Sequence, residues 1–212
     1  MSLESPLTTV PPAQPGSWHR TQRVLRLAMP SAGEMLLGML VGLVNTYLVG
    51  HLGAASLTAV GLGVQVSMAA MVLFSAVGTG ATAVTARMVG AEDVKGANRV
   101  VAQSVLIAFL CGVVSSLGLF IFAEPAMVIM GATGESLAQG VVYLRIICIV
   151  FPVSSMIFVG GACLRGAGDT RTPLLVMAVV NVLNIVVAWV LVEGIGPFPA
   201  LGVAGAAYGS TL

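Results

Sequence analysis

Residues 100–122 read VVAQSVLIAFLCGVVSSLGLFIF, without one charged side chain. The hydrocarbon core of a bilayer is about 30 Å thick, and about 20 mostly apolar residues cross it as an α-helix. Lipid offers no partner to backbone N–H and C=O groups, so a stretch this apolar has to satisfy them within its own helix. Working outward from it, four further segments pass the same test: Leu27–Val49, Leu57–Ala86, Leu137–Cys163 and Pro173–Val192. A sixth starts at Leu201 and reaches the last residue, Leu212. The expected fold class is all-α integral membrane, a bundle of five complete transmembrane helices and a truncated sixth. The second segment is longer than a bilayer requires and should tilt or project from it.

Composition points the same way. The chain is 58% hydrophobic and 8% charged, with a mean hydropathy of +1.03, where a soluble domain carries roughly 25% charged residues. A formal net charge of +1 gives no field to attract nucleic acid or an acidic substrate. The 26 glycines suit helices whose backbones approach closely, and the GxxxG pairs Gly38/Gly42 and Gly205/Gly209 mark two places where that is expected. Cys111, Cys148 and Cys163 all sit in apolar stretches without metal-ligand spacing, which fits small buried hydrophobes.

Residues 1–17, rich in Pro, Ser and Thr, read as a disordered cytoplasmic tail, leaving 18–212 as the transmembrane unit. Arg20, Arg23 and Arg26 precede the first helix, Arg87, Lys95 and Arg99 flank the second loop, and Arg165 and Arg171 flank the fourth. The alternate loops 51–56, 123–136 and 193–200 hold no Lys or Arg. By the positive-inside rule this asymmetry puts the N-terminus in the cytoplasm. Arg145, inside the fourth helix, either reaches outward to the headgroups or pairs with an acid.

Polar groups in a span are costly and face a cavity, a partner or an interface. Glu34 is the only acid within one of the expected spans. Asn45 lies eleven residues on, nearly the same face at about 100° per residue, with Gly38 between them. Glu34 reads either as hydrogen-bonded structural glue or as a proton or cation site. The second reading rests on the absence of any Lys or Arg expected at its depth, since burial then raises a carboxyl pKa. Gln65, Asn181 and Asn184 join Asn45 as cavity-lining candidates; the two helix 5 amides share a face and equally suit bonds to neighbouring helices. Thr79, Thr82 and Thr85 read as hydroxyls bonded back to their own helix. Pro30 and Pro152 mark expected bends.

An enzyme finds little support. LRGAGDTRTP (164–173) lacks the GxxxxGK[ST] order of a phosphate loop. Asp93 and Asp169 fall in loops, and His19 and His51 stand at the edges of the first helix, so no catalytic constellation and no metal site is expected.

Four segments together resemble the multidrug and toxic compound extrusion (MATE) transporters: MPSAGEMLLGMLVGLVNTYLVGHLGAASLTAVGLG (29–63), GATAVTARMVGAEDVKGANRVVAQ (80–103), LRGAGDTRTPLLVMAVVNVLNI (164–185) and LGVAGAAYGSTL (201–212). The resemblance implies one lobe of a twelve-helix, two-lobe transporter, the C-terminal lobe being the missing partner. It implies a secondary active exporter in the inner (plasma) membrane that couples H+ or Na+ entry to expulsion of amphipathic, cationic small molecules, with no cofactor beyond the ion. Many relatives carry an acid where Asn45 stands, and proton-coupled prokaryotic ones an acid where Ala188 stands. Glu34 is then the remaining candidate for coupling in this lobe. A lipid-linked oligosaccharide flippase of related architecture and a non-transporting membrane subunit are the rival readings.

Overall fold

The computed structural model describes residues 17–194 and 202–211. Residues 1–16 of the tail assigned to 1–17, residues 195–201 and the side chains of Arg20, Arg23 and Arg26 lie outside what it describes, and Ser17 begins α1. Within it run six helices: α1 (Ser17–Gly50), α2 (Ala54–Gly90), α3 (Val94–Ile129), α4 (Gly134–Gly166), α5 (Arg171–Glu193) and α6 (Val203–Ser210). Five of them are long and apolar enough to cross a membrane. Among the described residues there is no strand.

The helices are longer than their apolar stretches. The 37 residues of α2 make a rod of about 55 Å at 1.5 Å per residue, well beyond the hydrocarbon. The broad loop expected around 87–99 is therefore a turn of residues 91–93. Local chemistry explains it. Asp93 caps α3 by accepting from the Gly96 N–H at 2.9 Å. The Asp93 N–H donates to the Met88 carbonyl and that of Glu92 to the Val89 carbonyl, closing α2 with Glu92 in a left-handed conformation (φ 57°).

A second correction concerns 123–136, expected as a loop. Helix α3 kinks at Phe122 (φ −97°, ψ 15°) and continues to Ile129. Pro125 has no N–H to return to the preceding turn, yet its fixed φ suits the first turn of a resumed helix. The resumed segment buries Ala123 and Met127 against Ala132 and Leu144.

Helix α4 is the hub, packed on both α2 and α3, while α5 pairs with α1 and with α6. Glycine makes these approaches possible. A Cβ on Gly112 would come within 2.7 Å of the Pro152 backbone, and one on Gly166 within 2.6 Å of the Thr82 carbonyl. Ser155 places its hydroxyl 2.8 Å from the Ala108 carbonyl, tying α4 to α3. The pair Gly205/Gly209 behaves as expected: a Cβ on Gly205 would meet the Leu191 carbonyl at 2.6 Å, and Gly209 lies against Ala188. Gly38 and Gly42 do not, because nothing stands within 4 Å of a Cβ at either.

The two halves of the bundle meet at the end where α1 finishes. There Leu48 and Val49 join Val60, Tyr143, Ala188, Val192 and the buried face of α6 in one apolar cluster.

Candidate functional site

Helix α1 packs along one stripe, with Leu37, Val41, Val44 and Asn45 half-buried between its ends, mainly against α5, and its opposite face is bare. Gly33 packs on Leu174 of α5, and one turn past Pro30 stands Glu34. Its carboxylate oxygens accept from Arg165 Nη1 at 3.1 and 3.2 Å. This is the one ion pair given for the described residues, with the side chains 19% (Glu34) and 28% (Arg165) exposed. It corrects the expectation that no basic group reaches Glu34. Arg165 occupies the last turn of α4, and its side chain crosses to α1 beside the start of α5. Pro173, Val176 and Met177 of α5 and Phe158 and Gly161 of α4 complete the surroundings. The start of α1 and the end of α4 both lie at the basic end of the bundle, which allows the pair but does not single out Arg165 as the partner.

Further along α1, Asn45 is half-buried and its Oδ1 is enclosed without a hydrogen-bond partner. Asn184 on α5 is buried, and its Oδ1 is likewise unpartnered. Each stands about one turn from a member of the same apolar cluster, Leu48 and Ala188 respectively. Leaving a buried acceptor unmatched costs about 1–3 kcal/mol, so two such oxygens on paired helices mark a place suited to a donor or a cation. Asn181 is half-buried like Asn45, and Gln65 is exposed; neither has an enclosed, unpartnered side-chain atom among the described residues.

The remaining polar residues have local partners. Thr79 donates to the Ser75 carbonyl, and Thr82 reaches both the Gly78 and Ala162 carbonyls, at 2.8 and 3.0 Å. Thr85 departs from the expected back-bonding: it is buried with its hydroxyl oxygen unpartnered. Arg145 pairs with no acid among the described residues; it is exposed and lies over the Phe120 ring, 5.5 Å from the centroid. His51 hydrogen-bonds the Tyr47 carbonyl at 2.8 Å. All three cysteines are free.

In the turn between α4 and α5, Asp169 accepts from the Arg171 and Thr172 N–H groups at 3.0 and 3.1 Å and from the Thr172 hydroxyl at 2.6 Å. The Thr172 hydroxyl, followed by its backbone N–H, holds this carboxyl below the usual carboxylate range. Sequence reading placed Asp169 in a loop and missed that it organises the first turn of α5.

Comparison with known proteins gives this arrangement its context. A family model described as MatE matches residues 30–190. A probable multidrug resistance protein NorM of Thermotoga maritima is 33% identical over 191 residues, covering 90% of this chain and 41% of that protein. An FAD transporter of Shewanella oneidensis is 29% identical over 185 residues, covering 87% of this chain and 41% of its own. The solved structure of a MOP superfamily transporter from Pyrococcus furiosus superposes with a TM-score of 0.82 at 31% identity, over 89% of this chain and 41% of that one. The chain thus spans about 41% of the length of the relatives it matches. With the all-helical membrane fold and the match over most of its length, the chain belongs to the MatE family of multi-pass membrane transporters, which are not enzymes.

Proposed function

We propose that this chain forms the first lobe of a cation-coupled exporter of small amphipathic, positively charged molecules, completed by a second lobe. It works in the cell membrane with its N-terminus in the cytoplasm. The observation that carries the reading is the line of acceptors along α1 and α5: the Glu34 carboxylate at one end, and the unpartnered Oδ1 atoms of Asn45 and Asn184 deeper in. A carboxylate already neutralised by Arg165 gains little from a proton or Na+ while the pair is closed. It becomes a site for either once α1 moves away from α4. Entry of the coupling ion is thereby tied to the position of α1, as alternating access requires. The flippase reading needs a basic cavity, and it draws no support from Arg145 on an aromatic ring or Arg165 on a carboxylate.

The test is Glu34→Gln in the two-lobe protein. Gln keeps shape and hydrogen bonding, so insertion and folding should persist while export of an organic cation falls and loses its dependence on the ion gradient. Export at the normal rate with an unchanged pH dependence refutes the coupling role. Orientation is checked separately: cysteines placed at the exposed positions Ala54 and Glu135 should label from outside with an impermeant reagent, and one at Gly90 should not.

A further inference from the structure

A partly open pocket lies at the basic end of the bundle between α2, α3 and the end of α4. It measures about 340 Å3, within the usual range of small-molecule sites. Its walls are aliphatic, with Val89 of α2, Val101 of α3 and Leu164 of α4. Thr85 and Cys163 line it as well, each only 1% exposed. The Thr85 hydroxyl has no partner, although a helical threonine ordinarily bonds back to its own turn, as Thr79 and Thr82 do. The charged group lining the space is Glu92, an exposed residue of the α2–α3 turn with no ion pair among the described residues.

Glu92 is also the single non-glycine residue with positive φ given for the described chain. It holds the position after a helix end that glycine normally takes, because a Cβ there is strained. Glycine would close the α2–α3 turn with less strain but would contribute no charge. A side chain kept against local preference points toward function rather than folding. Arg87, Lys95 and Arg99 belong to the same end of the bundle but do not line the space.

We infer that this cavity binds a small organic amine: the ammonium group at Glu92, an apolar body between the three helices, and a hydroxyl at its far end bonded to Thr85. Thr85 both donates and accepts, so it pairs with a hydroxyl in either sense. Cys163 beside it serves as a native reporter. The inference is independent of the export reading, since it concerns binding within one lobe and its test does not measure transport.

The experiment follows alkylation of Cys163 by N-ethylmaleimide in the whole chain reconstituted in liposomes, read by mass spectrometry, with tyramine as the probe. Cys163 should react in the free protein and be protected by tyramine. Tyrosol, which lacks the amine, should protect about tenfold less well or worse, as loss of a charge-assisted bond requires. Phenethylamine, which lacks the hydroxyl, should bind about fivefold more weakly, and Thr85→Val should erase the difference between it and tyramine. Glu92→Gly should abolish protection while leaving thermal stability equal or higher, which separates lost binding from lost folding. Protection by tyramine that survives in Glu92→Gly overturns the site. So does a Cys163 rate indifferent to tyramine, or a Cys163 that never reacts in the free protein.

Discussion

The unit of α2, α3 and α4 and the single helix α1 draw on the same glycine-rich, apolar composition and use it in opposite ways. In the three-helix unit Gly63 faces the Tyr143 ring, Gly78 faces Phe158, Gly112 faces Pro152 and Gly166 faces Thr82, so each of these four is a point where two helices nearly touch, while Gly61, Gly80, Gly118 and Gly160 face open space. Along α1, Gly38, Gly42 and Gly50 face nothing within 4 Å, and Met35, Leu36, Met39, Leu40 and Leu43 are exposed. A helix packed along one stripe, mainly on α5, has less to break in changing its path than helices packed on two neighbours. Polar chemistry is found on it for the same reason: a densely packed interior has no room for a group that must change partners.

The largest expected effect tests that contrast directly. In Gly112→Ala the new methyl meets the Pro152 backbone at 2.7 Å and the Phe151 carbonyl at 3.0 Å. Neither can step aside, so the cost should reach about 3 kcal/mol or prevent assembly. Gly38→Ala should be neutral or stabilise α1 by about 0.5–1 kcal/mol, because its site is open and alanine costs less backbone entropy. Thermal unfolding of the detergent-purified proteins measures both. Equal losses in the two would erase the distinction between packed unit and free helix.

Next in size is the tie that closes α1 against α4. Arg165→Met leaves Glu34 half-buried without its countercharge. The loss should fall between the ~1 kcal/mol of exposed pairs and the ~3–5 kcal/mol of buried ones, because both side chains retain some contact with water. In Glu34→Gln/Arg165→Met the second change should cost much less than it does alone. A double-mutant cycle with no coupling would mean that the pair does not hold α1.

These residues also mark the limit of what was readable in the chain. The spans were legible because lipid imposes one condition on every residue of a helix, and 100–122 meets it with no charge. The ends were not, since Lys95 and Arg99 look like loop residues while in fact they ride on α3, and Asp93 caps it. Glu34, Asn45 and Asn184 were legible as polar groups in apolar runs. Arg165 as the partner of Glu34 was not, because it depends on which helices adjoin across α5, a property of packing that no local pattern encodes. The Gly38/Gly42 motif misled for the same reason.

A smaller effect of opposite sign is expected at the orphan amides. Asn184→Leu replaces a buried, unmatched oxygen with apolar atoms of similar size and should stabilise the α1–α5 seam by about 1 kcal/mol. Export by the two-lobe protein should decline at the same time, if the acceptor serves the transported cation. Destabilisation on the same thermal scale would show that Asn184 already has a partner. It would then count with the packed residues rather than with the polar face of α1.

The smallest effect sits in the turn that joins the packed unit to α5. Asp169 carries a folded pKa lowered from 3.8, chiefly by the Thr172 hydroxyl and then by the Thr172 N–H. A carboxyl depressed on folding contributes stability at pH values above its unfolded pKa, and that contribution drains away as pH falls through the folded value. The turn should therefore be indifferent to pH across the neutral range and loosen only below about pH 3.8, where protonated Asp169 releases the first N–H groups of α5. Carbon-13 NMR of the Asp169 carboxyl should give a midpoint below 3.8. Thr172→Val, which removes the 2.6 Å hydroxyl contact but keeps the backbone N–H bonds, should move the midpoint part of the way back up. Because the group is still in contact with water, water competes for each of these bonds and the thermal midpoint at neutral pH should barely change. A midpoint unmoved by Thr172→Val would assign the depression to the backbone alone. Asp169 would then be an ordinary turn residue rather than one fitted to the threonine three places on.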